Sequence, residues 1–149
     1  MLRALGFGLL ALAASAGGAM AENMCGDEPI APAIPSVADM NQKTPADAAS
    51  ARHSAFLDVV RWQNSLKSYR QCLDASVNTD KRQLGEAQRS DKPDKDKITR
   101  IGDEITAMGH LYDASVDDEE RVVNDFHAAL TAYCNRSDVD KSACPKTKA

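Results

Sequence analysis

"ITRIGDEITAMGHLYDASVDDEERVVNDFHAALTAY", residues 98–133, decides the fold. Its apolar positions are Ile98, Ile101, Ile105, Met108, Tyr112, Val122, Phe126, Ala129 and Tyr133, with Ser115 and Glu119 completing the row. The steps alternate three and four, the seam of a helix that packs lengthwise on another. Glu119 is the one clear violation. A helix of about 95–135 follows, with Asn135 as its stop.

Prolines mark where a partner helix can lie. Pro29, Pro32, Pro35 and Pro45 come early, Pro93 is central and Pro145 is near the end. Helix interiors exclude proline, so 46–92 and 94–144 are the two windows for long helices. The first opens with Thr44 as cap, Pro45 in the first turn and Asp47 as the capping acid. Its seam is Ala55, Val59, Trp62, Leu66, Tyr69 and Leu73. Beyond Leu73 the pattern weakens, with Ser76 and Asp80 at seam positions and "VNTD" a poor helix former. A helix of about 45–88 is expected, with a fray or break anywhere in 77–90. "SDKPDKDK", residues 90–97, has turn chemistry, and two long helices with a short link pack antiparallel. The fold class is all-α: a coiled-coil-like hairpin.

The first residues, "MLRALGFGLLALAASAGGAMA", carry one Arg, an apolar run and small residues ending Ala19-Met20-Ala21. This is a signal-peptide pattern, with cleavage expected near Ala21/Glu22 and delivery to the periplasm or beyond. After cleavage no stretch is long or apolar enough to span a bilayer. The chain divides into a signal peptide (1–21), an extended Pro-rich segment (22–44), the hairpin (45–135, turn about 89–94) and a tail (136–149). The formal net charge is −4, and loss of Arg3 with the signal makes it more acidic. That argues against nucleic acid or an anionic membrane surface as partner.

A second apolar row, Val116, Val123 and Leu130, flanks the seam of the second helix, and Phe56, Val60 and Val77 lie off the first seam. A contiguous exposed patch of this kind marks a contact surface. Two covers are conceivable: segment 26–43 folding back, or a second copy. The expected cover is the segment, burying Ile30, Ile34 and Val37, which gives an elongated monomer. Otherwise the chain dimerises through Val116, Val123 and Leu130.

Catalytic chemistry finds little support. No Gly-x-Ser-x-Gly, phosphate loop or Cys-x-x-Cys occurs outside the signal. His53 and His127 fall near the open end of the hairpin, with Asp58 or Asp125 as further ligands of a conceivable metal site, but both lie off the seams and read as solvated. His110 has no evident partner. The acidic run 113–121 lacks the glycine of a calcium loop and reads as a helix face. Trp62 and Tyr69 read as core. The expectation is a non-enzymatic interaction or scaffold module with no cofactor or metal, and an unknown protein partner or self-association. The alternative is a small-ligand or metal binder near His53 and His127.

"CGDEPIAPAIP" (25–35), "YRQCLD" (69–74) and "LYDASVDDEERVVNDFHAALTAY" (111–133) together resemble a group of small exported proteobacterial proteins with a Cys- and Pro-rich start and a Tyr-x-x-Cys helix. The resemblance implies no activity, ligand or catalytic residue. In that group the position after the closing Ala-Tyr is polar. Cys134 therefore looks like half of an added pair with Cys144, leaving Cys25 and Cys72 as the shared one.

Geometry leads to the same pairing. Cys72 and Cys134 differ by roughly 35 Å along the hairpin, against a Cα separation of about 7 Å at most for a disulfide. Cys72 to Cys144 stretches the tail near its limit. Cys25 reaches easily, since the residues up to Pro45 span up to about 60 Å in polyproline form. Cys25–Cys72 and Cys134–Cys144 are therefore expected, the first acting as a clasp that holds the Pro-rich segment over the second apolar row.

Overall fold

The computed structural model describes residues 24–146. The expected signal peptide and its cleavage site lie outside the described residues. Three helices carry the fold: α1 (Val37–Gln42), α2 (Pro45–Gln88) and α3 (Lys95–Asn135). A single 3-10 turn, Lys141–Ala143, follows, and no strand occurs among the described residues. Helices α2 and α3 form the antiparallel hairpin.

Local chemistry sets the helix ends. Thr44 Oγ1 accepts from the Asp47 amide (3.2 Å) and donates to its carboxylate (2.7 Å), with Pro45 in the first turn. Asp94 caps α3 by accepting from the Lys97 amide at 3.1 Å. Helix α2 runs unbroken through 77–90 to Gln88, so the weak propensity of "VNTD" does not end it. Val77 and Leu84 are half-buried, and tertiary packing overrides propensity in a long helix.

All six expected α2 seam residues are buried, from Ala55 to Leu73. On α3, Ile101, Ser115, Val122, Ala129 and Tyr133 are buried and the other seam residues half-buried. The core therefore follows the three-four alternation on both helices.

The Pro-rich segment folds back along the hairpin as a strap. Cys25 is joined to Cys72 with Cα atoms 5.6 Å apart. Gly26, at φ +72°, supplies the left-handed turn that redirects the chain after the disulfide. Trp62 Nε1 then donates to Pro29 O at 2.9 Å. Burial along the strap repeats every three residues. Glu28, Ala31 and Ile34 face in, while Ile30, Ala33 and Ser36 face out. That is the period of a polyproline II helix.

Three expectations about the segment need correction. Residues 37–42 are helical, not extended, because Ser36 and Asp39 form a reciprocal capping box. Ile30 is 93% exposed and Val37 47% exposed, since the three-residue period places Ile30 on the outer ridge. The apolar anchor is instead Met40, fully buried in a cluster with Ala48, Ala129, Ala132 and Tyr133. Arg136 Nη1 fixes this end by donating to Met40 O (2.7 Å) and Lys43 O (2.8 Å).

The tail also turns back on the hairpin. Cys134 and Cys144 are joined with Cα atoms 5.8 Å apart. Tyr133 donates to Asp140 O at 3.0 Å, and Lys141 Nζ donates to the carbonyls of Cys134 and Arg136. These bonds occupy carbonyls that the end of α3 would otherwise leave open.

Candidate interaction surface

The strap covers one side of the hairpin. Its inward residues meet Val59, Trp62, Leu66 and Val122 through Ala31 and Ile34, and Ala129, Ala132 and Tyr133 through Met40. At 3.6 residues per turn, Val122, Ala129 and Ala132 lie toward one flank of α3, and Val116, Val123 and Leu130 lie on the other. The expected cover of the second row is therefore wrong in its side. The Cys25–Cys72 clasp holds the strap on the opposite flank, because Cys72 itself projects there.

What remains uncovered is a mixed apolar and polar face. Phe56 is 47% exposed, Val60 39% and Val116 41%, and Val123, Phe126 and Leu130 are half-buried beside them. The Phe56 and Phe126 rings bridge the two helices, with centroids 6.3 Å apart. Val77 lies on the same flank of α2 towards the turn and is half-buried.

The middle of this face holds a polar node. Arg70 donates from Nε to Ser115 Oγ (2.8 Å), from Nη2 to Ser115 O (2.5 Å) and from Nη1 to Glu119 Oε2 (2.5 Å). Its guanidinium also lies over the Tyr112 ring, 5.8 Å from the centroid. Gln63 donates to Glu119 Oε1 at 2.8 Å. Glu119, the seam violation, is thus satisfied by two α2 side chains. The Arg70 hydrogen bond, the largest influence, holds its carboxyl below the ordinary glutamate value despite partial burial, with help from Gln63.

Beneath the strap a second acid behaves oppositely. Glu28 Oε1 is buried without a hydrogen-bond partner among the described residues. Burial, and then the nearby Asp118 carboxylate, push the Glu28 carboxyl above its ordinary value, against the pull of Arg70.

The other candidates separate. His53, His110 and His127 are exposed, and His127 is a ring neighbour of Phe126 with centroids 6.4 Å apart. No group of three or more His, Cys, Asp or Glu among the described residues is placed to hold a metal. The acidic run 113–121 is helical throughout, with Asp118 paired to Arg121 at 2.8 Å. Trp62 and Tyr69 are core residues, each 5% exposed. An open cleft of about 580 Å³ runs beside the strap, between Pro29, Pro32, Trp62 and the Asp58–Arg61 ion pair. No helix among the described residues is long and apolar enough to cross a membrane.

Arg70, Gln63 and Met40 were not evident in the sequence. Only the misplaced Glu119 hinted that α2 must supply a cation at its level. No family model matches the chain, and neither a curated protein nor a solved structure matches it.

Proposed function

We propose that the chain is an exported, non-enzymatic helical module that works by presenting the uncovered face of its hairpin to a protein partner. One observation carries this reading. The strap closes one side of the hairpin, yet Phe56, Val60, Val116, Val123, Phe126 and Leu130 stay accessible on the other. A patch of that extent, rimmed by charge, suits a protein contact. The two disulfides are compatible with an oxidising, extracytoplasmic setting. No observation favours the small-ligand or metal alternative at His53 and His127.

The test is affinity capture from the envelope of the producing cell, with three baits: wild type, Val123→Glu on the face, and Asp103→Asn near the turn. Proteins retained by wild type and Asp103→Asn but lost with Val123→Glu support the reading. A capture pattern unchanged by Val123→Glu overturns it.

A further inference from the structure

Beside the apolar half of the uncovered face charge is divided across its width: the outer edge of α2 carries the exposed Lys67 and that of α3 the exposed Asp113 and Glu120, one heptad apart, while the exposed Asp74 lies one heptad beyond Lys67 towards the turn. Three cross-pairs set the register between the helices: Phe56 with Phe126, Gln63 with Glu119, and Arg70 with Tyr112. In that register Val60 is level with Val123. Lys67 is level with Val116, midway between Asp113 and Glu120.

A flat two-helix face can meet its own copy about two kinds of in-plane two-fold axis. An axis across the helices lays α2 on α2 and α3 on α3, and at the level that stacks Phe56 on Val60 and Val123 on Phe126 it puts Lys67 opposite Ala49, with no acidic partner. An axis parallel to the helices lays α2 on the α3 of the second copy, antiparallel and at the same height. Phe56 then meets Phe126 of the second copy, Val60 meets Val123, and Lys67 sits between Asp113 and Glu120. Apolar meets apolar, and Lys67 gains two opposite charges against the single like-charge approach of Asp74 to Asp113, so electrostatics favours the parallel axis. The face from residue 49 to residue 70 is about 32 Å long at 1.5 Å per residue and about 20 Å wide across two helices. That is roughly 1,300 Å² for the two copies together, at the lower end of specific interfaces.

We propose that the occupant of this face is a second copy of the chain, docked through Phe56, Val60, Val123 and Phe126 into an antiparallel four-helix bundle whose two-fold axis runs parallel to the helices. The inference rests on the face being an interaction surface, as argued above, and names its partner. An interface of this size is large enough for a specific contact, and its quality rather than its area sets the affinity. Each Lys67 contact occurs twice by symmetry, so each charge reversal acts twice.

The experiment is sedimentation equilibrium of the chain expressed through an oxidising compartment, over concentrations of about 1 to 200 µM. Wild type is expected to dimerise. Lys67→Glu, and Asp113→Lys with Glu120→Lys, are each expected to weaken the dimer at least about tenfold, from four like-charge contacts apiece by symmetry. All three positions are solvent-exposed, and circular dichroism checks that each variant keeps the fold. Mixing the two variants in equal amounts pairs every reversed charge with its complement and should restore wild-type affinity within about threefold, as a heterodimer. A dimer indifferent to both reversals, or variants that weaken it without rescue on mixing, overturns the proposed packing. A wild type that stays monomeric throughout overturns the second copy as partner. In that case loss of capture by Val123→Glu keeps the interaction face, and unchanged capture removes both.

Discussion

Removing Arg70 tests whether the node at Ser115 and Glu119 ties the two helices together. Arg70 and Glu119 side chains are 17% and 28% exposed, so the pair is screened less than a surface bridge. Arg70→Met keeps the aliphatic stem but leaves Glu119 Oε2 without its cation and removes a donor from Ser115, whose Oγ still donates to Tyr112 O at 2.7 Å. Ser115 is fully buried. A hydrogen bond to a charged group contributes about 1.5–3 kcal/mol, and an acceptor left unpaired costs its desolvation. Partial solvent access lets water recover some of this, so we expect a loss of about 3 kcal/mol. Replacing both partners, Arg70→Met with Glu119→Met, should cost about 1 kcal/mol, since no charge is left unpaired and the seam gains an apolar residue. With any loss from Glu119→Met alone added, the coupling is at least about 2 kcal/mol, readable from a double-mutant cycle by urea unfolding. A single-variant loss under about 0.5 kcal/mol, or additive effects, would show that the node contributes nothing to holding the hairpin.

Two further outcomes follow from the strap. Cys25→Ser with Cys72→Ser should cost about 4 kcal/mol and Cys134→Ser with Cys144→Ser about 3 kcal/mol, from closed loops of 47 and 10 residues; only the first pair should shift the emission of Trp62 to the red, and a shift from the second instead would contradict the strap's anchoring. The Glu28 carboxyl is raised on folding, so its stabilising contribution is fully present below the unfolded value and is lost as pH rises through the folded one. Glu28→Gln should therefore be more stable than wild type near neutral pH and show a flatter pH dependence on the acid side. Urea unfolding across that range decides it, and a Gln variant that is weaker near neutrality refutes the placement of Glu28 against Asp118.

The hairpin was legible because its information is periodic and local. The seam from Ala55 to Leu73 and that from Ile98 to Tyr133 needed only helical spacing, and the proline windows bounded both helices. The disulfides followed from chain reach. The strap's side was not legible, because an extended segment of fifteen residues reaches either flank equally well. Its polyproline period was available in Pro29, Pro32 and Pro35, and would have placed Ile30 opposite Ile34's ridge. Met40 carries no periodic signal, being one apolar residue on a short helix marked only by its capping box, Ser36 to Asp39. Arg70 and Glu119 are 49 positions apart, and only the register of the folded hairpin shows that they meet.

Why one face is covered and the other open follows from the length of the strap. Its anchors are Cys25 at Cys72 and Met40 at the cluster containing Ala48. On α2 those points are about 36 Å apart at 1.5 Å per residue. Fifteen residues in polyproline form span at most about 46 Å, and the helix α1 shortens that. Little slack is left for the strap to cross the hairpin and return along the other side. Among the described residues no other segment lies over the second apolar face. The open face carries its charged node at mid-height, Arg70 with Glu119, above a mainly apolar half at Phe56, Val60, Val123 and Phe126. The strapped face carries charge at mid-height as well, Glu28 beside Asp118, but a covalently held segment needs no charge pattern to find its register. A partner arriving from solution does, and the edge charges at Lys67, Asp113 and Glu120 stand where they would select it.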